Sequence, residues 1–156
     1  MNIRSATEAD VPLILYFIKE LAVYEKLAHK VVADENSLRR TLFGERPFAE
    51  VIFAEENGEA LGFALFFHNY STFLARPGIY LEDLFVKPEA RGRGYGKALL
   101  AQLARIALER DCGRVEWAVL NWNEPSINFY KALGAVPMDD WTVFRLTGEA
   151  LEKLAL

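Results

Sequence analysis

The chain has 156 residues, of which 52% are hydrophobic and 26% charged, and carries a net charge of −4. That length suits one domain with a real core, residues 1–156, and that composition argues against extended disorder. The acidic balance disfavours a nucleic-acid role and is compatible with a cationic small partner, while the absence of a long apolar run or a leader-like N-terminus predicts a soluble, cytoplasmic protein with no membrane partner.

In chain order, Asn2 to Ser5 read as a short strand. Thr7 is placed to cap a helix, with the acidic Asp10 three positions later. Leu13, Ile14, Phe17, Ile18, Leu21 and Ala22 recur at helical spacing and give that helix one buried face. It ends near Glu25, whose carboxylate opposes the helix dipole there, a local cost that makes Glu25 a candidate for function. Asp34 caps a second short helix that Gly44 stops. Strand two, Phe48 to Glu55, turns at Asn57-Gly58 into strand three, Ala60 to Tyr70; Asn-Gly between apolar runs is the strongest short hairpin signal. Strand three is apolar almost throughout, as a central strand should be. Gly78 to Val86 form strand four and Gly94 to Arg110 the long third helix, stopped by Gly113. Strand five spans Arg114 to Leu120. Pro125 suits the first turn of a fourth helix, which runs to Leu133. Two closing strands are expected at about Ala135 to Met138 and Thr142 to Leu146, then a short helix from Gly148 to Leu156. The single cysteine, Cys112, has no disulfide partner and reads as a partly buried structural residue; with two histidines beside it, no metal site is expected.

The stretch that organises the rest is Leu81 to Leu100: an apolar strand that breaks at Pro88 and passes through Arg91, Gly92, Arg93, Gly94, Tyr95, Gly96 and Lys97 into a helix. Glycines let the backbone take positive φ and let its N–H groups approach a ligand, and the helix start adds unpaired amides and a positive dipole end. A loop of this make-up is an anion cradle suited to a pyrophosphate. It is not a Walker loop, because Ala98 follows Gly96-Lys97 where a hydroxyl is needed, and its glycine spacing is not that of a dinucleotide fingerprint.

Arg91-x-x-Gly94-x-Gly96 resembles the acetyl-coenzyme A loop of the GNAT superfamily of N-acetyltransferases, and the order of elements follows that superfamily across the chain. Three segments, Lys19 to Glu25, Tyr80 to Val86 and Trp122 to Lys131, look like its diamine (spermidine/spermine) branch, which includes thialysine acetyltransferases. The resemblance implies an α/β fold with a mixed, mostly antiparallel sheet of six to seven strands, about four flanking helices and a splay between strands four and five. It implies acetyl-coenzyme A as cofactor, held by backbone groups of Leu84, Phe85 and Val86, by Arg91 through Lys97 and by Asn123, Glu124, Pro125 and Ser126. It implies Tyr130 as general acid, an amine site lined by Tyr24, Glu25, Glu82, Glu116, Trp117, Ala118 and Asp139, and a homodimer. Where the branch has basic residues after its Tyr-Lys pair, this chain has Ala132 and Leu133.

The residues themselves carry a compatible chemistry. An alkylamine with a pKa of ~10.4 is protonated at pH 7, so its acylation needs carboxylates to recruit the cation and a base to deprotonate it. Glu82 and Asp83 are adjacent on a strand, and regular alternation sends one of them into the cleft; Glu82 is assigned there as substrate ligand and base, with Asp83 in support. A phenol near the departing sulfur can protonate it, which suits Tyr130, and a backbone N–H of Phe85 or Val86 can polarise the thioester carbonyl. The expected activity is N-acetylation of a small cationic amine, a polyamine, diamine or lysine analogue. The alternatives are acetylation of a protein N-terminus or lysine, and a non-catalytic acyl-coenzyme A sensor.

Overall fold

Alternating apolar residues and one tight turn generate the sheet on which the fold is built. The computed structural model describes all 156 residues, which divide into two compact units, Met1–Ala118 and Val119–Leu156.

In the first unit, β1 (Asn2–Ser5) leads through a 3-10 turn (Glu8–Asp10) into α1 (Val11–Tyr24). Thr7 and Asp10 form the expected reciprocal cap, with the Thr7 amide donating to Asp10 at 2.8 Å. α2 (Glu35–Phe43) is capped by Asp34, which accepts from the Ser37 amide at 2.7 Å, and Gly44 ends it. β2 (Glu50–Glu56) and β3 (Glu59–Ser71) meet at Asn57 and Gly58, with φ of 53° and 78°. Two consecutive positive φ values define the turn whose twist matches a hairpin. β4 (Arg76–Val86), α3 (Tyr95–Glu109) and β5 (Val115–Trp117) complete the unit.

The sheet order is β1-β2-β3-β4-β5, antiparallel except for the parallel β4–β5 pair. One sheet face is covered by α1 and α2, where Phe17 is fully buried and stacks on Phe63 at 5.1 Å, with Phe53 and Phe85 around it. The other face takes α3 through Leu99 and Leu103, both fully buried. Gly62 is bare because a Cβ there would meet the Phe85 carbonyl at 3.0 Å and Leu99 at 3.3 Å.

The second unit holds α4 (Glu124–Ala132) and α5 (Gly148–Leu154). Two expectations are corrected: the sheet has five strands rather than six or seven, and Ala135 to Met138 and Thr142 to Leu146 form no strand. An apolar period-two pattern marks a segment able to pair, and it becomes a strand only when a ladder is present. Strand five is also shorter than expected, which bears directly on the site.

Candidate active site

β5 accompanies β4 over only three register pairs, Ile79 with Val115, Tyr80 with Glu116 and Leu81 with Trp117. From Glu82 to Val86, β4 keeps β3 on one side and has no strand on the other. This is the expected splay. It leaves main-chain groups of Leu84, Phe85 and Val86 along an open edge, where an extended chain can be added. Leu84 pairs with Ala64 and Phe85 with Phe63, and the Phe85 side chain goes to the α1 core.

The strand then breaks at Lys87 and Pro88 and enters the glycine turn. Gly92 and Gly94 have φ of 77° and 91°, and a Cβ on either would meet nothing within 4 Å. The left-handed backbone and the open space beside it are what a cradle for a phosphate requires. Gly94 is the N-cap of α3, and the first ladder bond runs from the Ala98 amide to the Gly94 carbonyl at 3.0 Å. The amides ahead of it point out of the helix, at the positive end of its dipole. These residues fit a pyrophosphate. The side chains of the turn are engaged elsewhere. Arg93 donates to Glu56 at 3.0 Å, and the buried Tyr95 donates its hydroxyl to the same carboxylate, tying the turn to the β2–β3 hairpin. Arg91 donates to the Val86 carbonyl at 3.0 Å, and its guanidinium lies 4.8 Å over the Tyr24 ring and 5.3 Å over Phe85. Arg91 thus clamps the end of α1 to the end of β4. Lys97 is exposed on the first turn of α3.

The acidic residues are gathered by an irregularity. In the β3–β4 ladder Phe66 pairs with Leu81 but Leu65 pairs with Asp83, so Glu82 is an extra residue in a β-bulge. The bulge cancels the alternation expected of Glu82 and Asp83. Asp83 follows Leu65 and Phe63 onto the α1 face, as Tyr80 follows Phe67. Electrostatics place Glu82 with them: the Asp83 carboxyl is pushed up to about 7 by burial first, then by Glu82 and Glu25. Glu25, the C-cap of α1, is raised by burial and then by Glu82. Three carboxylates therefore share one side of the splay, with Glu82 the exposed member and Asp83 half-buried.

Tyr80 and Phe67, with ring centroids 5.3 Å apart, continue this face, and the Tyr80 phenol is pushed up by burial, then by Glu82 and Glu116. Glu116 is held on the same face by Asn69, which donates to it at 3.1 Å. Trp117 pairs with Leu81 on the opposite side of the sheet, and Ala118 is exposed at the end of the unit. Phe67, Asn69, Tyr80 and Arg114 escaped the sequence reading, although the period of two from Glu82 back through Tyr80 would have reached Tyr80.

In the second unit, Asn123 is buried and caps α4, accepting from the Ser126 amide at 3.4 Å. Glu124 and Pro125 form the first turn, and Tyr130 is half-buried with its ring 5.6 Å from Phe129. Asp139 is exposed in a turn.

A strand opening beside a glycine cradle, with carboxylates on one face, defines an acyl-transfer fold, and residues 18–135 match the acetyltransferase (GNAT) family. The chain belongs to that family and is an N-acetyltransferase; acetyl-coenzyme A is the family's general acyl donor. It is 43% identical to thialysine N-epsilon-acetyltransferase of Bos taurus, over 98% of this chain and 96% of that protein. It is 36% identical to L-ornithine N5-acetyltransferase of Arabidopsis thaliana, over 98% of this chain and 87% of that one. Among solved structures, an integron cassette protein from the mobile metagenome of V. cholerae superposes with a TM-score of 0.82 at 31% identity, covering 99% of this chain and 96% of that one. No helix is long and apolar enough to cross a membrane, and no group of residues is arranged to hold a metal ion.

Proposed function

We propose that residues 1–156 act as one acetyl-coenzyme A-dependent N-acetyltransferase domain that acylates a primary amine of a small cationic substrate by direct transfer. The observation that carries this reading is the convergence of Glu25, Glu82 and Asp83 on one face of the splay. Three carboxylates in a partly desolvated corner repel one another, and a cation relieves that repulsion. The named activities of the similar bovine and Arabidopsis proteins, on thialysine and ornithine, support a substrate of this kind.

Acetyl-coenzyme A, when bound, supplies an activated acetyl thioester. The amides of Gly92 to Lys97 are the groups to hold its pyrophosphate, and the open edge at Leu84, Phe85 and Val86 is the groove for its arm, with Asn123 to Ser126 adding contacts. Glu82 recruits the substrate ammonium and takes its proton through water, which creates the neutral nucleophile. A backbone amide at Phe85 or Val86 donates to the acyl oxygen, and Tyr130 returns a proton to the departing sulfur. Tyr24, Glu116, Trp117, Ala118 and Asp139 complete the proposed amine site. The proposed assembly is a homodimer in the cytoplasm.

A panel of amines, putrescine, spermidine, thialysine and glucosamine, with thiol release as readout, tests the reading. Turnover of at least one is expected, and acetylation confined to protein N-termini or lysines would overturn it, as would donor binding without any turnover. Tyr130→Phe is expected to lower kcat on the order of a hundredfold while coenzyme A affinity, measured by calorimetry, changes less than twofold. Unchanged kcat would remove Tyr130 from the mechanism.

A further inference from the structure

Along the same sheet face, beyond Tyr80, a cation enters a wall otherwise made of carboxylates. Arg114 and Glu116 lie two apart on β5 and its approach, and therefore on one face. The Arg114 Nε lies 3.0 Å from Glu116 Oε1, and both side chains keep 37% exposure. Asn69 crowds the same oxygen, donating from Nδ2 at 3.1 Å, so Glu116 Oε2 keeps no partner. A carboxylate only accepts, which fixes the Asn69 amide and leaves its Oδ1 buried without a donor. Arg114 Nε is a charge contact that is not aimed for a hydrogen bond, and Nη2 has only a 3.4 Å approach to the Tyr70 carbonyl. Asn69 Oδ1 and Arg114 Nε are both buried, so a ligand meets the exposed remainder of the pair, a guanidinium and a carboxylate side by side. Gly78 lets Asn69 and Arg114 pack close over the strand, since a Cβ there would come within 2.4 Å of Asn69 Oδ1 and 3.2 Å of Arg114 Cγ.

Resting on the small-amine reading above, we propose that Arg114 and Glu116 form a head-group subsite for an α-amino acid, Arg114 binding its α-carboxylate and Glu116 its α-ammonium, so that the preferred acceptor is an amino acid with a terminal amine rather than a polyamine. An amino-acid head offers a donor-only cation and an acceptor-only anion on one carbon, the complement of this pair. A polyamine offers only cations and meets Arg114 as a like charge. The spacing agrees. Glu116 pairs with Tyr80, two residues from Glu82, which puts the two about 8 Å apart by strand rise and strand separation. A chain of four or five bonds from α-carbon to terminal nitrogen covers roughly 5–6 Å at ordinary bond lengths, leaving room for an ionic contact at each end. The rings of Tyr80 and Phe67 lie along the interval and suit the methylenes.

The test compares three acceptors of equal length: ornithine, putrescine, which lacks the carboxylate, and 5-aminopentanoate, which lacks the α-ammonium. The wild-type protein is expected to favour ornithine at least tenfold in kcat/KM over each of the other two. Arg114→Gln is expected to raise KM for ornithine at least tenfold and to leave kcat/KM for putrescine undiminished or raised, since a like charge is removed, with melting temperature checked to show that the variant is folded. Equal use of ornithine and putrescine by the wild-type protein, a measurement that needs no variant, would overturn the subsite while leaving the small-amine reading intact. So would an equal loss on both substrates in the variant. Failure of all three acceptors together with the amine panel would overturn both.

Discussion

Asp83 stands opposite Leu65 in the ladder, a carboxyl set against an apolar partner and beside two other acids. Burial, then Glu82 and Glu25, raise it from 3.8 to about 7. Because the folded-state pKa lies above the unfolded one, this group's favourable contribution is fully present below about pH 4 and is lost as pH rises through 7. Asp83→Asn removes the ionisation and keeps the shape. Relative to wild type, the variant should therefore gain stability at pH 9, by up to about 4 kcal/mol at 1.36 kcal/mol per pKa unit, and gain nothing from this source near pH 4. Urea unfolding at the two pH values measures it, and a pH-independent difference would refute it. In the proposed amine site, a bound cation would offset the same cost. None of this was visible in the sequence, where Glu82 and Asp83 read as a regular alternating pair. The bulge carries no glycine or proline to mark it, and it arises from how β3 and β4 fit together over their whole length.

The strand, turn and helix from Leu81 to Glu109 were legible for a local reason. Gly92 and Gly94 occupy left-handed backbone that other residues avoid, so composition reported geometry directly. The same holds for Asn57-Gly58 at the hairpin and Asp34 at the start of α2, where one side chain meets one nearby amide. The three-residue length of β5 depends instead on a ladder partner far away in sequence. Within the turn, the side chains of Arg93 and Tyr95 are engaged with Glu56 of the hairpin, a contact far away in sequence that the motif does not report. Gly94→Val places a β-branched side chain at φ of 91° and in the open space beside the turn. The backbone strain is roughly 1–2 kcal/mol, a loss of about 3–6 °C in melting temperature for a chain of this size. Coenzyme A affinity by calorimetry should fall more than tenfold. Unchanged affinity would show that the turn is not the pyrophosphate site.

At the scale of the molecule, the proposed homodimer rests on the second unit's apolar surface. Trp141, Val143 and Phe144 are 76%, 82% and 91% exposed, with Val136 and Met138 nearby in sequence. A run of large apolar side chains left to water favours covering by a partner. A second copy supplies such a surface by symmetry, since an isologous contact presents the same patch from both sides. Light scattering at working concentration should give twice the 17.7 kDa chain mass. Phe144→Asp changes a side chain that the isolated chain leaves in solvent, so by the usual size of surface effects it should alter folding stability by no more than about 0.5 kcal/mol. In the dimer it would bury an unpaired charge, a cost of several kcal/mol that shifts the protein to monomer. A monomeric wild-type protein, or a variant that keeps the doubled mass, would show that this surface is not where two copies meet.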